Sequence, residues 1–157
     1  MKTTKALIIL AVMLMASYSW ADGSSVQTVK QYTGGFVVVS IACTGDVANG
    51  SIPTVTLSAD IMALIEGTHY LYLVSAYPTS GGTAPDAADV TVVMGGVDLL
   101  GAKGVNLIHA TTRQDTFPYS VFMTSYRFST VTGQITLTVA NQATPSANYT
   151  LELVFVR

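Results

Sequence analysis

The sequence predicts an all-β fold, a single antiparallel β-sandwich or barrel of the jelly-roll or immunoglobulin-like kind, with one short helix. Three observations carry that expectation. Beyond residue 21, Thr, Val, Ile and Tyr dominate, while Lys, Glu and Arg, the usual residues of solvated helix faces, are scarce; charged residues make up 10% of the chain. Short apolar or alternating runs recur along the chain, each bounded by Gly, Pro, Asn, Asp or Ser, at the spacing of a sandwich or barrel. No internal repeat, charge block or low-complexity linker divides the sequence into further units.

The first segment stands apart from that domain. Lys2 and Lys5 precede an uncharged apolar run, 6–15, followed by the small residues Ser19 and Ala21. This is the layout of a secretory signal helix, with Ser19-Trp20-Ala21 as the cleavage site. The run is too short for a comfortable transmembrane helix, which needs about 20 apolar residues. The expectation is a signal peptide at 1–21 and one domain at 22–157, secreted, periplasmic or at the cell surface, with no stable membrane insertion after cleavage. A retained anchor or a buried N-terminal helix is the alternative. A domain of this length buries about two-thirds of its unfolded surface, enough to fold without a metal or disulfide.

The expected strands are, in order, 25–32, 35–43, 52–58, 68–77, 88–94, 96–100, 120–128, 133–141 and 149–156. Alternation is clearest near the C-terminus, where Ile135, Leu137 and Val139 face one way and Gln134, Thr136 and Thr138 the other. Leu151, Leu153 and Phe155 repeat the pattern, so these two runs are expected to pair antiparallel across "QATPSAN". One stretch has helical spacing. In "SADIMALIEG", Ile61, Leu64 and Ile65 share a face, Ser58 suits the N-cap, Asp60 the first turn and Gly67 a left-handed cap, which predicts a helix near 58–66. Gly95-Gly96, between two apolar bursts, predicts a two-residue hairpin, because glycine accepts the positive φ angles of primed turns. A dinucleotide or phosphate loop is excluded here: no helix pattern follows, and Lys103 lacks the ordered glycines and the Ser/Thr of such a motif.

These residues also carry a resemblance. "GGTAPDAADVTVVMGGVDLLGAKGVN", 81–106, followed by "GQITLTVANQATPSANYTLELVF", 133–155, resembles a family of small β-rich structural proteins of tailed phages and prophages. The matching features are Thr83 to Pro85, Asp89 to Thr91, Asp98 to Gly101 and Ile135 to Asn141, in the family's order. The likeness spans most of the chain beyond residue 21. It implies a virion or assembly component and transfers no catalytic residue. An export signal departs from that family, whose members assemble in the cytoplasm, and sets an exported role beside the virion one.

Composition narrows the chemistry. After residue 21 five basic residues stand against nine acidic ones, a net charge of −4, and the cations are scattered, which excludes a nucleic-acid backbone as partner. Cys43 is the single cysteine, expected as a buried small apolar residue, with an intermolecular disulfide or reactive thiol as the alternative. His69 and His109 do not make up the four-ligand set of a structural zinc, so no metal or other cofactor is expected. His69, in an alternating run, is read as an exposed or partly satisfied side chain. His109, Asp115 and Ser120 lack the G-x-S-x-G elbow that would strain a serine into reactivity. Glu66 and Glu152 are the only glutamates, and Asp86, Asp89 and Asp98 lie in turn contexts; a calcium loop there lacks the D-x-D-x-D-G run. "NGS" at 49–51 and "NYT" at 148–150 match glycan acceptor sites, read as coincidence beside a bacterial-style signal.

The stretch that rises above background is "FPYSVFMTSYRF", 117–128. Alternation would bury one side of it in the core. Tyrosines beside an arginine are also the usual anchors of an interface, which makes Tyr119, Phe122, Tyr126, Arg127 and Phe128 the candidate binding residues. The expected function is that of a non-enzymatic structural or assembly protein, associating with itself or with a larger particle. The alternative is an exported carbohydrate- or surface-binding module.

Overall fold

A computed structural model describes residues 22–120 and 124–157; the expected signal segment lies outside the described residues. The chain is mostly β, with one short helix and antiparallel sheets in a sandwich-like arrangement. The first sheet is built on four nine-residue strands. In spatial order they are β1 (Ser24–Tyr32), β2 (Phe36–Thr44), β12 (Asn148–Val156) and β4 (Tyr70–Pro78). Two short strands, β7 (Gln114–Thr116) and β10 (Ser129–Thr130), share the far edge of β4 end to end. The second sheet runs β3 (Val55–Thr56), β11 (Ile135–Ala140), β5 (Asp89–Met94), β6 (Val97–Asp98). A detached ribbon pairs β8 (Tyr119–Ser120) with β9 (Ser125–Tyr126).

Alternation explains the core. Val37, Val39, Ile41 and Cys43 of β2 and Tyr149, Leu151, Leu153 and Phe155 of β12 point inward and are buried. Val90 and Val92 of β5 and Ile135 and Leu137 of β11 meet them from the second sheet. Each large apolar side chain removed from water contributes about 1.5–3 kcal/mol before the chain entropy that opposes it. The helix α1 (Ala59–Ile65) adds Ile61, Met62 and Ile65 to this core. Its start and stop are those read from sequence: Ser58 Oγ accepts from Ile61 N, and Gly67, at φ +72, turns the chain out. The Gly95-Gly96 hairpin also forms, with φ +57 and +80 between paired Met94 and Val97.

Four expectations are corrected. β11 and β12 do not pair: "QATPSAN" carries the chain from the second sheet to the first, and its buried Gln142 accepts from Asp86 N and donates to Thr144 O. The 52–58 run yields only Val55–Thr56, with Leu57 buried beside it. The 96–100 run yields only Val97–Asp98, since Asp98 caps Leu100 N and turns Leu99 and Leu100 into the core. Of the described residues of the 120–128 run, only Ser120 and Ser125–Tyr126 are in strands, so these do not form one continuous strand. β4 bulges at Tyr72, where Val154 pairs with Leu73 but Phe155 with Leu71, so the neighbouring edge is split between β7 and β10. Between them the chain leaves the sheet, past Pro118, which has no N–H to give a ladder.

Candidate interaction surface

The described parts of the 117–128 stretch, 117–120 and 124–128, adjoin the Tyr72 bulge, and Phe117, Tyr119, Tyr126 and Phe128 gather there. Tyr72 meets Phe117 edge-on at 5.7 Å between ring centroids and Phe128 at 5.2 Å. Phe117 in turn meets Tyr126 at 6.1 Å, and Tyr126 meets Tyr119 across the ribbon at 5.4 Å. Lys103 Nζ stands 4.8 Å over the Tyr119 ring. Backbone bonds hold the ribbon in place: Tyr119 N donates to Leu99 O and Arg127 N to Pro118 O, both at 2.9 Å.

Edge-to-face rings gain about 0.5–1.5 kcal/mol per pair beyond area burial, which orders the cluster without hiding it. Tyr126 remains 63% exposed, Phe128 54% and Phe117 39%. Tyr72, Phe117, Tyr126, Arg127 and Phe128 line an open cleft of about 590 Å³. Arg127 and Phe128 also line a second cleft of about 350 Å³, against Val97 to Leu99 and Tyr119, so this pair forms the ridge between the two.

Of the sequence-read candidates, Arg127 and Phe128 are exposed on this ridge, Tyr126 is exposed in the cleft beside Tyr72, Tyr119 is half-buried under Lys103, and Phe122 lies outside the described residues. Tyr72 was not legible as a member, because nothing in "THYLYLVSAY" marks a bulge.

The aromatic surface extends over the outer face of the first sheet. Tyr32, Phe36, Val156 and Tyr70 stand side by side across β1, β2, β12 and β4, and the next row is Lys30, Val38, Val154 and Leu73. Their inward neighbours along β2 and β12 fill the core, so these rows face outward. Three of the four rings or side chains in the first row, Tyr32, Phe36 and Tyr70, are more than 40% exposed. Isolated exposed apolar residues need no explanation, whereas contiguous ones mark interaction sites.

The middle of the same face is polar and tightly paired. Arg113 bonds Glu152 and Asp115 at 3.0 Å each, donates to Ser75 Oγ at 2.7 Å and lies 5.2 Å from the centre of the Tyr77 ring. Tyr77 donates its hydroxyl to Glu152 at 3.0 Å. Hydrogen bonding from Ser75 and the Arg113 guanidinium hold the Asp115 carboxyl below its ordinary range, while burial and Glu152 raise the Tyr77 phenol.

The remaining polar candidates are occupied with shape. Asp86 accepts from Ala143 N, Asp89 from Asn106 N and Asn141 Nδ2, and Asp98 from Leu100 N and Ala102 N. Carboxylates so placed cap turns. His109 Nδ1 accepts from Thr111 N at 3.3 Å, and His69 is buried with Nδ1 2.8 Å from Thr68 Oγ1. Of the two expectations for His69, the structure shows the partly satisfied one: the side chain is buried, with one ring nitrogen bonded. Among the described residues no three His, Cys, Asp or Glu gather as a metal site. Cys43 is buried, and burial pushes its thiol up to about 12, which leaves it a packing residue.

Compared with family models, curated proteins and solved structures, the chain matches none.

Proposed function

We propose that this protein is a non-enzymatic structural or assembly component that works by repeated contact with copies of itself or with a larger particle. The observation that carries the reading is the number of exposed rings in two groups: Tyr32, Phe36 and Tyr70 across the first sheet, and Phe117, Tyr126 and Phe128 around Tyr72. Exposing them costs solubility, and an interface repays that cost by burying rigid side chains that lose little entropy. The phage-like order of turns and strands and the export signal at 1–21 support a component that acts outside the cytoplasm or in a virion.

Size-exclusion chromatography with light scattering, joined to negative-stain imaging, tests this on the wild type and on a Phe117→Ser, Phe128→Ser double variant. Assemblies present in the wild type and lost in the folded variant support the reading; assemblies indifferent to both rings count against this surface, and a monomer that binds no particle counts against the function.

The open cleft beside Tyr72 favours a second reading, an exported carbohydrate-binding module, since sugars stack on flat rings such as those of Tyr72, Phe117 and Tyr126 that line it. A glycan array with no bound sugar removes it.

A further inference from the structure

Strand β1 is a nine-residue edge, and among the described residues only β2 pairs with it. The opposite edge of the same sheet is covered by β7 and β10, and both edge strands of the second sheet, β3 and β6, are two residues long. Protein edges of this length are normally blunted by proline, a bulge, several charges or a covering element. β1 has no proline, pairs with β2 in unbroken register and carries one charge, Lys30. Val26 and Val29 stand 62% and 39% exposed along it.

We infer that β1 pairs antiparallel with β1 of a second copy, joining two first sheets into one continuous sheet about a twofold axis at Thr28. The occupant follows from length and charge. Each chain offers a single long open edge among its described strands, so a like edge of equal length closes a dimer and leaves no strand to propagate a fibre. Full overlap of two identical strands, 24–32, sets residue 28 opposite itself. Lys30 then faces Val26 of the other copy, over which its aliphatic stem can lie, and the two lysines stand about 14 Å apart along the strands. Thr28 meets its own copy, a favoured cross-strand pair. Val29 faces Gln27. The only charge on the edge meets no like charge, and both exposed valines gain a cover.

Pairing in this way also keeps the outward faces of the two copies on one side of the joined sheet, so the two aromatic rows become parts of one surface. The inference thus deepens the assembly reading and rests on it only for that surface; the edge itself is independent of Phe117 and Phe128.

Thr28→Cys is the direct test, with wild-type protein as the control because its own thiol, Cys43, is buried. Under copper-phenanthroline oxidation, Thr28→Cys is expected to run largely as a disulfide-linked dimer on non-reducing gels, and Ser24→Cys, placed opposite Tyr32, to remain mostly monomeric. Thr28→Lys, which sets two ammonium groups face to face, is expected to weaken dimerisation at least tenfold by light scattering while circular dichroism stays unchanged. The Phe117→Ser, Phe128→Ser variant is expected to keep the Thr28→Cys cross-link. Equal cross-linking at 24 and 28, a dimer indifferent to Thr28→Lys, or a wild type that is monomeric at every concentration would overturn edge pairing. A cross-link that persists when larger assemblies fail to form would sink the assembly reading alone.

Discussion

Arg113 Nη1 lies 3.0 Å from Glu152 Oε2, which ties the residue preceding the edge strand β7 across β4 to the middle of β12. The same guanidinium reaches Asp115 and the buried Ser75 hydroxyl, so one side chain holds down the point from which the aromatic excursion departs.

Replacing that guanidinium by an apolar stem of similar length isolates its charge. Arg113→Met is expected to cost about 1 kcal/mol, because the pair is partly exposed and screened, while Ser75 loses a donor. Urea unfolding measures the loss; a change under 0.3 kcal/mol would show the network to be ornamental.

Tyr149 is fully buried, and its hydroxyl finds no hydrogen-bond partner. Burial, with Cys43 and Asp86 nearby, raises its phenol far above the ordinary tyrosine range. Tyr149→Phe keeps the ring and removes the unsatisfied group, so it is expected to be neutral or to stabilise by about 1 kcal/mol. Thermal melting of the two proteins decides, and a clear loss of stability would mean that the hydroxyl is satisfied in solution.

Gly104 and Gly133 make a matched pair. A Cβ on Gly104 would collide with Val90 O, a backbone atom that cannot swing away, whereas a Cβ on Gly133 meets nothing within 4 Å. Gly104→Ala is expected to destabilise by about 2–3 kcal/mol and Gly133→Ala by less than about 0.5 kcal/mol. Chemical denaturation of both variants should reproduce that order.

Stability should depend on pH through His69. Burial, and then the positive charge of Arg157, lower its affinity for a proton in the fold, against a smaller opposing hydrogen bond at Gly35. As pH falls below about 6.5 the unfolded chain takes up the proton first. The contribution is therefore complete above that pH and declines beneath it. His69→Gln is expected to flatten the difference in melting temperature between pH 7.5 and 5.5; an unchanged slope would assign the dependence to other groups.

Local signals carried much of this molecule. Apolar runs between turn residues marked β2 and β5, and period-two alternation β11 and β12, to within a residue or two; Ser58 and Gly67 bracketed α1, and Gly95-Gly96 announced the β5–β6 hairpin. The aromatic density of 117–128 was legible as well, but whether it packs inward or faces solvent was not, since a run of rings reads the same in both places.

The sequence by itself determined that the chain folds into antiparallel sheets and where its turns fall, because periodicity and glycine φ preferences act over a few residues. Only the tertiary structure decided which strands are neighbours. β11 and β12 share a pattern yet belong to different sheets, and the bulge at Tyr72 divides the edge beside it and throws the aromatic excursion outward. Alternation tells a side chain which face to take; the partner across the hydrogen bonds is chosen by packing between residues far apart in the chain.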